Sequence, residues 1–288
     1  MYKLILIWLL LVSYASIATE TIRVRGSQSE HDSTHNYYVG LIELAFDKLK
    51  KPIQIQFSPY MVQDRALFEL QSNRLIDLYW AGTNQQRESE LGVVPIPLIK
   101  GLLGYRVFTI HQDNEQLFSQ IKSIKSLKNM TLCQGQHWPD TDIMLAAGLS
   151  VITNVVYENM FKQVYADRCK AFPRGINEAF SEVESRQKIM PKLMVFDEVI
   201  LHYRFPMYFF THKDNTQLIN DLQSGLMLAI KDGSFDKYMQ THPTTQHLFP
   251  LSKWDNKTIL TIDNPFLSQS TPVDDKALWI ELGKKQSR

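Results

Sequence analysis

The sequence predicts a two-lobed α/β protein whose halves are joined by two hinge crossings, with a ligand cleft between them. Three observations carry this. A β-α-β-α-β series fills the first part of the chain, and a second α/β series follows Tyr105. Two extended, proline-containing stretches, around Pro95–Tyr105 and Tyr203–Phe210, separate these series. Finally, a strong amphipathic helix after the second stretch suits a return to the first half.

The elements follow from residue spacing. Ile22 and Val24 alternate with charged neighbours over Thr21–Arg25, as in a half-buried strand. Leu41, Ile42, Ala45, Phe46 and Leu49 fall at helical spacing within Val39–Leu49, and Ile53, Ile55 and Phe57 alternate with glutamines. Asp64–Gln71 reads as a helix, and Leu75–Trp80 as a buried strand ending in Ala81, Gly82 and Thr83. Parallel sheets take ligands beyond the carboxyl ends of their strands, which puts Ser27, Tyr60, Trp80 and Thr83 on one candidate rim.

In the second half, strands are expected at Arg106–Ile110, Met130–Cys133, Val151–Val156, Cys169–Phe172 and from Leu193. Helices are expected at Asp140–Leu149, Glu158–Tyr165 and Ile176–Arg186. The aromatic run Tyr203–Phe210 is broken by Pro206, which fits a segment passing between two bodies better than a central strand. Leu218, Leu222, Leu226 and Ile230 line one face of the next helix, with Gly233 beyond its end. The lobes are therefore expected at residues 19–104 with 206–288, and at 105–205, with a C-terminal extension from about 243. Structural wrapping of one lobe is the economical role for that extension, and partner docking the sharper one.

A leader precedes all this. Lys3, the nine-residue apolar run Leu4–Val12 and the small-residue exit Ser16-Ile17-Ala18 have the form of a secretory signal peptide cleaved near Ala18. The run falls short of the ~20 residues that span a bilayer. The expected location is thus periplasmic. The chain has 44% hydrophobic and 21% charged residues, with 31 Lys plus Arg against 30 Asp plus Glu, which suits a globular monomer. A net charge of +1 gives no basic surplus for nucleic acid and no charged face for a membrane. Cys133 and Cys169 either pair in the oxidising compartment or stand as two buried thiols; neither has a CxxC partner. His242 and His247 read as part of a solvated tail, and no cofactor, metal or catalytic motif is expected.

Five segments stand in a telling order: Ile22-Arg23-Val24 and its helix, Asp77–Thr83 leading to Arg87, the crossing Tyr105–Ile110, Ser123–Lys128 before the strand ending at Gln134-Gly135, and Lys231–Phe235. Together they resemble the type II periplasmic solute-binding proteins that serve amino-acid ABC transporters (solute-binding protein family 3). The resemblance covers roughly residues 20–245. Lys100–Arg106, Phe172-Pro173-Arg174-Gly175 and Asn264-Pro265 are similar to a divergent branch described only as substrate-binding-domain proteins. What it implies is a binder that closes over a small carboxylate-bearing solute and presents it to an ABC permease or a membrane sensor. It also implies that an arginine after the third strand clamps the solute carboxylate. Arg87 occupies that place, and a guanidinium forks onto a carboxylate. The second lobe normally adds backbone amides at a helix start, here Gln134–Asp140. Trp138 either stacks on the solute or plugs the lobe, while Asp140 and Asp142 are most simply the helix cap and first turn.

One departure matters. Where such proteins hold the ligand amine with an acid just past the strand at Cys169–Phe172, this chain has Gly175 preceded by Arg174. An arginine repels an ammonium and welcomes an anion. Either Asp140, Asp142 or Glu178 replaces the acid, or the solute is an organic acid, or Arg174 points outward. A sensory module and a dehydratase- or lyase-like enzyme on the same fold are the alternatives to transport.

Overall fold

The structure, a computed structural model, describes residues 19–32 and 34–283. The expected leader lies outside them. β1 (Glu20–Arg25), α1 (His35–Leu49), β2 (Ile53–Ser58), α2 (Gln63–Gln71) and β3 (Leu78–Gly82) follow the expected order, then α3 (Gln85–Glu90) and β4 (Gly92–Val94). The third strand starts later than expected, because Leu75 is half exposed while every residue from Leu78 to Gly82 is buried. In α1, Leu41, Ile42, Ala45 and Phe46 are fully buried, so the apolar stripe seen in the sequence is the core face.

The second body comprises β5 (Tyr105–His111), α4 (Glu115–Ser119), α5 (Ile124–Lys128), β6 (Thr131–Gly135), α6 (Pro139–Ala146), β7 (Ser150–Asn154), α7 (Tyr157–Tyr165), β8 (Ala171–Gly175), α8 (Ala179–Glu184) and β9 (Leu193–His202). The chain then returns as β10 (Met207–Thr211), α9 (Thr216–Lys231) and α10 (Ser234–Thr241). The first sheet has the order β2-β1-β3-β10-β4, with β10 antiparallel to both neighbours. Pro206 therefore ends the crossing, and Met207–Thr211 is an interior strand, buried at all five positions. The expectation of a purely bridging segment fails because the proline sits one residue before the ladder begins. Its carbonyl still accepts from the Thr83 amide at 3.2 Å.

The return is fixed by α9 against α1. A Cβ at Gly225 would overlap the Ala45 carbonyl, so the two helix backbones approach closely there. In the second sheet, completed by β11 (Thr258–Thr261), the order is β11-β9-β5-β8-β6-β7. Cys133 and Cys169 form a disulfide with Cα atoms 5.7 Å apart, tying β6 to the segment before β8.

β11 (Thr258–Thr261) belongs to the C-terminal extension, yet it pairs in parallel with β9 of the second sheet. This differs from the expected assignment of the whole tail to the first lobe. The tail leaves α10, and the His247 ring contacts the Ile176 carbonyl at 2.8 Å. It adds β11 to the second sheet and then returns, the Phe266 and Leu267 carbonyls accepting from Gln85 at 3.1 and 3.0 Å. His242 and His247 are partly buried in this path rather than solvated. The tail ends at the hinge: Ile280 N donates to Lys100 O at 2.9 Å, and Leu282 N to the Tyr105 hydroxyl at 3.1 Å.

The two expected crossings pack on each other through Gly104 and Tyr203, whose backbones are joined by a 3.1 Å hydrogen bond. A Cβ at Gly104 would overlap the Tyr203 carbonyl oxygen. Gly101, at φ +76°, lies against the Trp279 ring of the tail. The hinge is thus three segments thick.

Candidate functional site

A cavity of about 60 Å³ lies between the two sheets. The first lobe contributes Arg25 from the end of β1, Tyr38 from α1, Gln63 from α2 and Trp80 from β3. The second contributes Arg106 from β5, Trp138 and Asp140 from the start of α6, Arg174 from β8 and Glu178 beside α8. Leu103 and Phe205 close the hinge side.

Four of the expected site residues meet here: Trp80, Trp138, Asp140 and Arg174. Arg174 points inward because β8 runs three residues further than expected, to Gly175, so the arginine is a strand residue and is buried. It bonds Glu182 through Nε at 2.8 Å and Nη2 at 2.7 Å, and reaches Glu178 at 3.0 Å. Its guanidinium also lies 5.0 Å from the Trp138 ring centroid and 4.9 Å from that of Phe172. Burial works against this charge, yet Glu178 and Glu182 hold its pKa well above the usual arginine value. Trp138 packs against Tyr157 and Phe172, as a plug of the lobe would, and also lines the cavity.

Asp140 is not a helix cap. Its Oδ1 sits 2.5 Å from Arg106 Nη2 and accepts from the Tyr203 hydroxyl at 2.5 Å. Trp138 is the N-cap residue and Pro139 the first helical residue, where a missing N–H costs nothing. The amides expected to cradle an anion are largely occupied. Those of Gly135, Gln136 and Trp138 donate to Gln134 Oε1, Asn154 O and Gly135 O. Asp142 is exposed and faces an outer groove instead.

Arg87, Thr83, Tyr60 and Ser27 do not line the cavity. Arg87 is buried, and its Nη1 donates to Gly82 O at 2.6 Å. Nη2 donates to Gln63 Oε1 at 2.5 Å and, across the cleft, to His137 O at 2.9 Å. Its guanidinium ties one lobe to the other, and burial lowers its pKa. The turn Thr83-Asn84 is short, so α3 carries Arg87 behind Gly82 rather than over the cavity mouth. Thr83 Oγ1 donates to Glu88 at 2.7 Å, and Ser27 is exposed. Tyr60 lies at the entrance, stacked on Arg25.

Arg25 is the residue that strand patterning missed. It is 2% exposed, with Nη1 on Met61 O at 3.2 Å. Its guanidinium carbon lies 4.9 Å from the Tyr79 ring centroid and 5.6 Å from that of Tyr60. Nε has no hydrogen-bond partner, and no carboxylate pairs with it among the described residues. Arg106 was also read only as the start of an apolar strand, yet it is 1% exposed and meets Asp140 and Glu178. Glu178, one of three candidates for the replacement acid, does face the cavity. Burial raises its pKa, Arg174 and Arg106 oppose the rise, and Glu182 and Asp140 add to it. The described residues contain no group of histidines, cysteines and acids able to hold a metal, and no helix long and apolar enough to cross a membrane.

No protein-family model matches the sequence, and no curated protein matches it as a relative. Solved structures do match. An ancestral arginine-binding protein bound to arginine superposes with a TM-score of 0.58 at 18% identity, over 76% of this chain and 96% of that one. A histidine kinase sensor domain with similarity to periplasmic binding proteins gives 0.56 at 12%, over 76% and 94%. An ancestral amino-acid-binding protein, described as a precursor of cyclohexadienyl dehydratase, gives 0.56 at 15%, over 76% and 93%. At these identities the likeness defines the fold: this chain has the two-lobed α/β architecture of the type II periplasmic binding proteins.

Proposed function

We propose that this protein is an exported solute-binding protein whose lobes close over a small carboxylate-bearing solute and hand it to a membrane transporter. The observation that carries this reading is the cavity itself, lined from both lobes and containing the guanidiniums of Arg25, Arg106 and Arg174. A cavity made by two hinged bodies is complete only when they meet, so solute affinity and closure are linked. The solved arginine-binding structure supports the same use of the architecture. Isothermal titration of the purified chain against amino acids, organic acids, amines, peptides and sugars tests it. Binding of a carboxylate class supports the reading, and a flat response to all of them sinks it.

A sensory role is the second reading, favoured by the match to a histidine kinase sensor domain. Deleting the gene separates the two: lost uptake marks transport, and intact uptake with an altered gene response marks sensing. The site is read as binding rather than catalytic, because Asp140, Glu178 and Glu182 are each engaged by an arginine instead of standing ready for proton transfer. Turnover of a bound solute would overturn that.

A further inference from the structure

Resting on the solute-binding reading, we infer that the solute is a small organic monoanion without a free amine, and that Arg25 is the group that grips its charge.

The charges facing the cavity are almost all committed. Arg106 meets Asp140 at 2.5 Å and Glu178 at 3.6 Å, and Arg174 meets Glu178 at 3.0 Å and Glu182 at 2.7 Å. Tyr203 and Tyr157 donate their hydroxyls to Asp140 and Glu182, and the Gly175 amide donates to Glu178 at 3.2 Å. Arg87, which the chain's resemblances nominate for the carboxylate, spends its donors on Gly82, Gln63 and His137. Arg25 is the exception among these cations. It lines the cavity and is buried, and among the described residues no carboxylate pairs with it and its side chain's one hydrogen bond is to a main-chain carbonyl. Its Nε is unpartnered, as is that of Arg106, but Arg106 has two acids against it. Tyr79 and Tyr60 pack against its guanidinium, with ring centroids 4.9 and 5.6 Å from its central carbon, and the cavity that Arg25 lines is where an anion can meet it. A buried cation without an anion is a costly arrangement that an anionic solute relieves.

An ammonium has no comparable place. Each acid in the wall already has a guanidinium against it, so an incoming cation meets like charge at contact distance. Burial also raises the Glu178 pKa, which weakens that carboxyl as an amine acceptor. A volume of about 60 Å³ holds roughly five water-sized positions, the size of a short hydroxy or keto acid.

The test is isothermal titration of the purified chain with isosteric pairs: glycolate against glycine, L-lactate against L-alanine, and L-glycerate against L-serine. The inference expects the hydroxy acid of at least one pair to bind tenfold or more tightly than its amino acid. Arg25→Gln then weakens that binding at least tenfold, and Arg25→Lys restores part of it. The wild-type comparison needs no variant, and thermal melting shows whether each variant is folded. Amino acids that bind as well as or better than their partners, or an Arg25→Gln protein that is folded and binds undiminished, overturn the inference while leaving a solute-binding protein. If no member of any pair binds, the carboxylate-binding reading falls and the inference with it.

Discussion

Replacing Arg87 with methionine should shift the protein towards its open form without replacing any residue of the cavity wall. Two of the arginine's three hydrogen bonds, to Gly82 O and Gln63, lie within the first lobe and survive opening. Only the 2.9 Å bond from Nη2 to His137 O spans the cleft. A hydrogen bond involving a charged group is worth about 1.5–3 kcal/mol. Losing it lowers the closed-to-open ratio by about ten- to a hundredfold, at about 1.4 kcal/mol per factor of ten. The neighbouring ties are weaker: Asp64 and His137, 2.9 Å apart, are both about half exposed, and such pairs contribute about 1 kcal/mol or less. Spin labels on cysteines introduced at Leu75 and Ile189, exposed on the first and second lobe, report the separation by pulsed electron resonance. The expected result is a longer and broader distance distribution in Arg87→Met, with melting followed separately to register the bonds lost within the first lobe. Distributions that match between wild type and variant would refute the latch assignment.

Other outcomes follow from the same geometry. The disulfide closes a loop of sequence separation 36, for which the chain-entropy relation gives about 4 kcal/mol; Cys133→Ser with Cys169→Ser should lower the denaturation midpoint accordingly, and an unchanged midpoint contradicts it. Arg174→Ala strands Glu178 and Glu182 in the interior and should cost about 3–5 kcal/mol in chemical denaturation, less when both acids are already glutamine. For Glu178, buried among Arg174, Glu182, Arg106 and Asp140, the native carboxyl keeps its proton where the unfolded chain has lost it. Its contribution to stability is therefore full below the ordinary glutamate value and lost as pH rises through the raised one, a slope that Glu178→Gln should abolish in urea titrations. His247 titrates in the opposite sense. Burial lowers its pKa despite the bond to Ile176 O, so its contribution holds above the ordinary histidine value and fades as pH falls through the lowered one. Limited proteolysis should then cut the tail faster in mildly acid than in neutral buffer, and His247→Gln should flatten the difference.

The elements that periodicity located were those long enough to show a period. Leu41, Ile42, Ala45 and Phe46 mark α1, and Leu218, Leu222 and Leu226 mark α9. The six residues of α3 and three of β4 are too few to repeat anything. Pro206 misdirected the reading of β10, because a proline just outside a strand looks in sequence like one inside it. The rule that ligands gather at strand ends brought Trp80 to the cavity wall but not Ser27, Tyr60 or Thr83, while Trp138, Asp140 and Arg174, which the resemblance raised, do line it. It missed Arg25 for a physical reason. Arg23 and Arg25 share one strand face and look alike in alternation, but Arg23 pairs with Asp77 near the surface whereas Arg25, at the strand end, is buried against Tyr60, Met61 and Tyr79. Only tertiary structure separates them. Arg87 was nominated by position in the chain, and a short turn moved its side chain behind the wall.

The tail changes what opening means. A two-strand hinge allows a wide swing, whereas here the polypeptide passes between the bodies four times and is pinned at Lys100 and Tyr105. Fewer open arrangements are then accessible, so less of the binding free energy is consumed in restricting them and each contact yields more affinity. On the solute-binding reading, fewer open arrangements also mean fewer routes in and out, which should appear as slow association and long residence rather than rapid exchange. The C-terminal tail, not the cavity wall, would then set the pace at which a solute comes and goes.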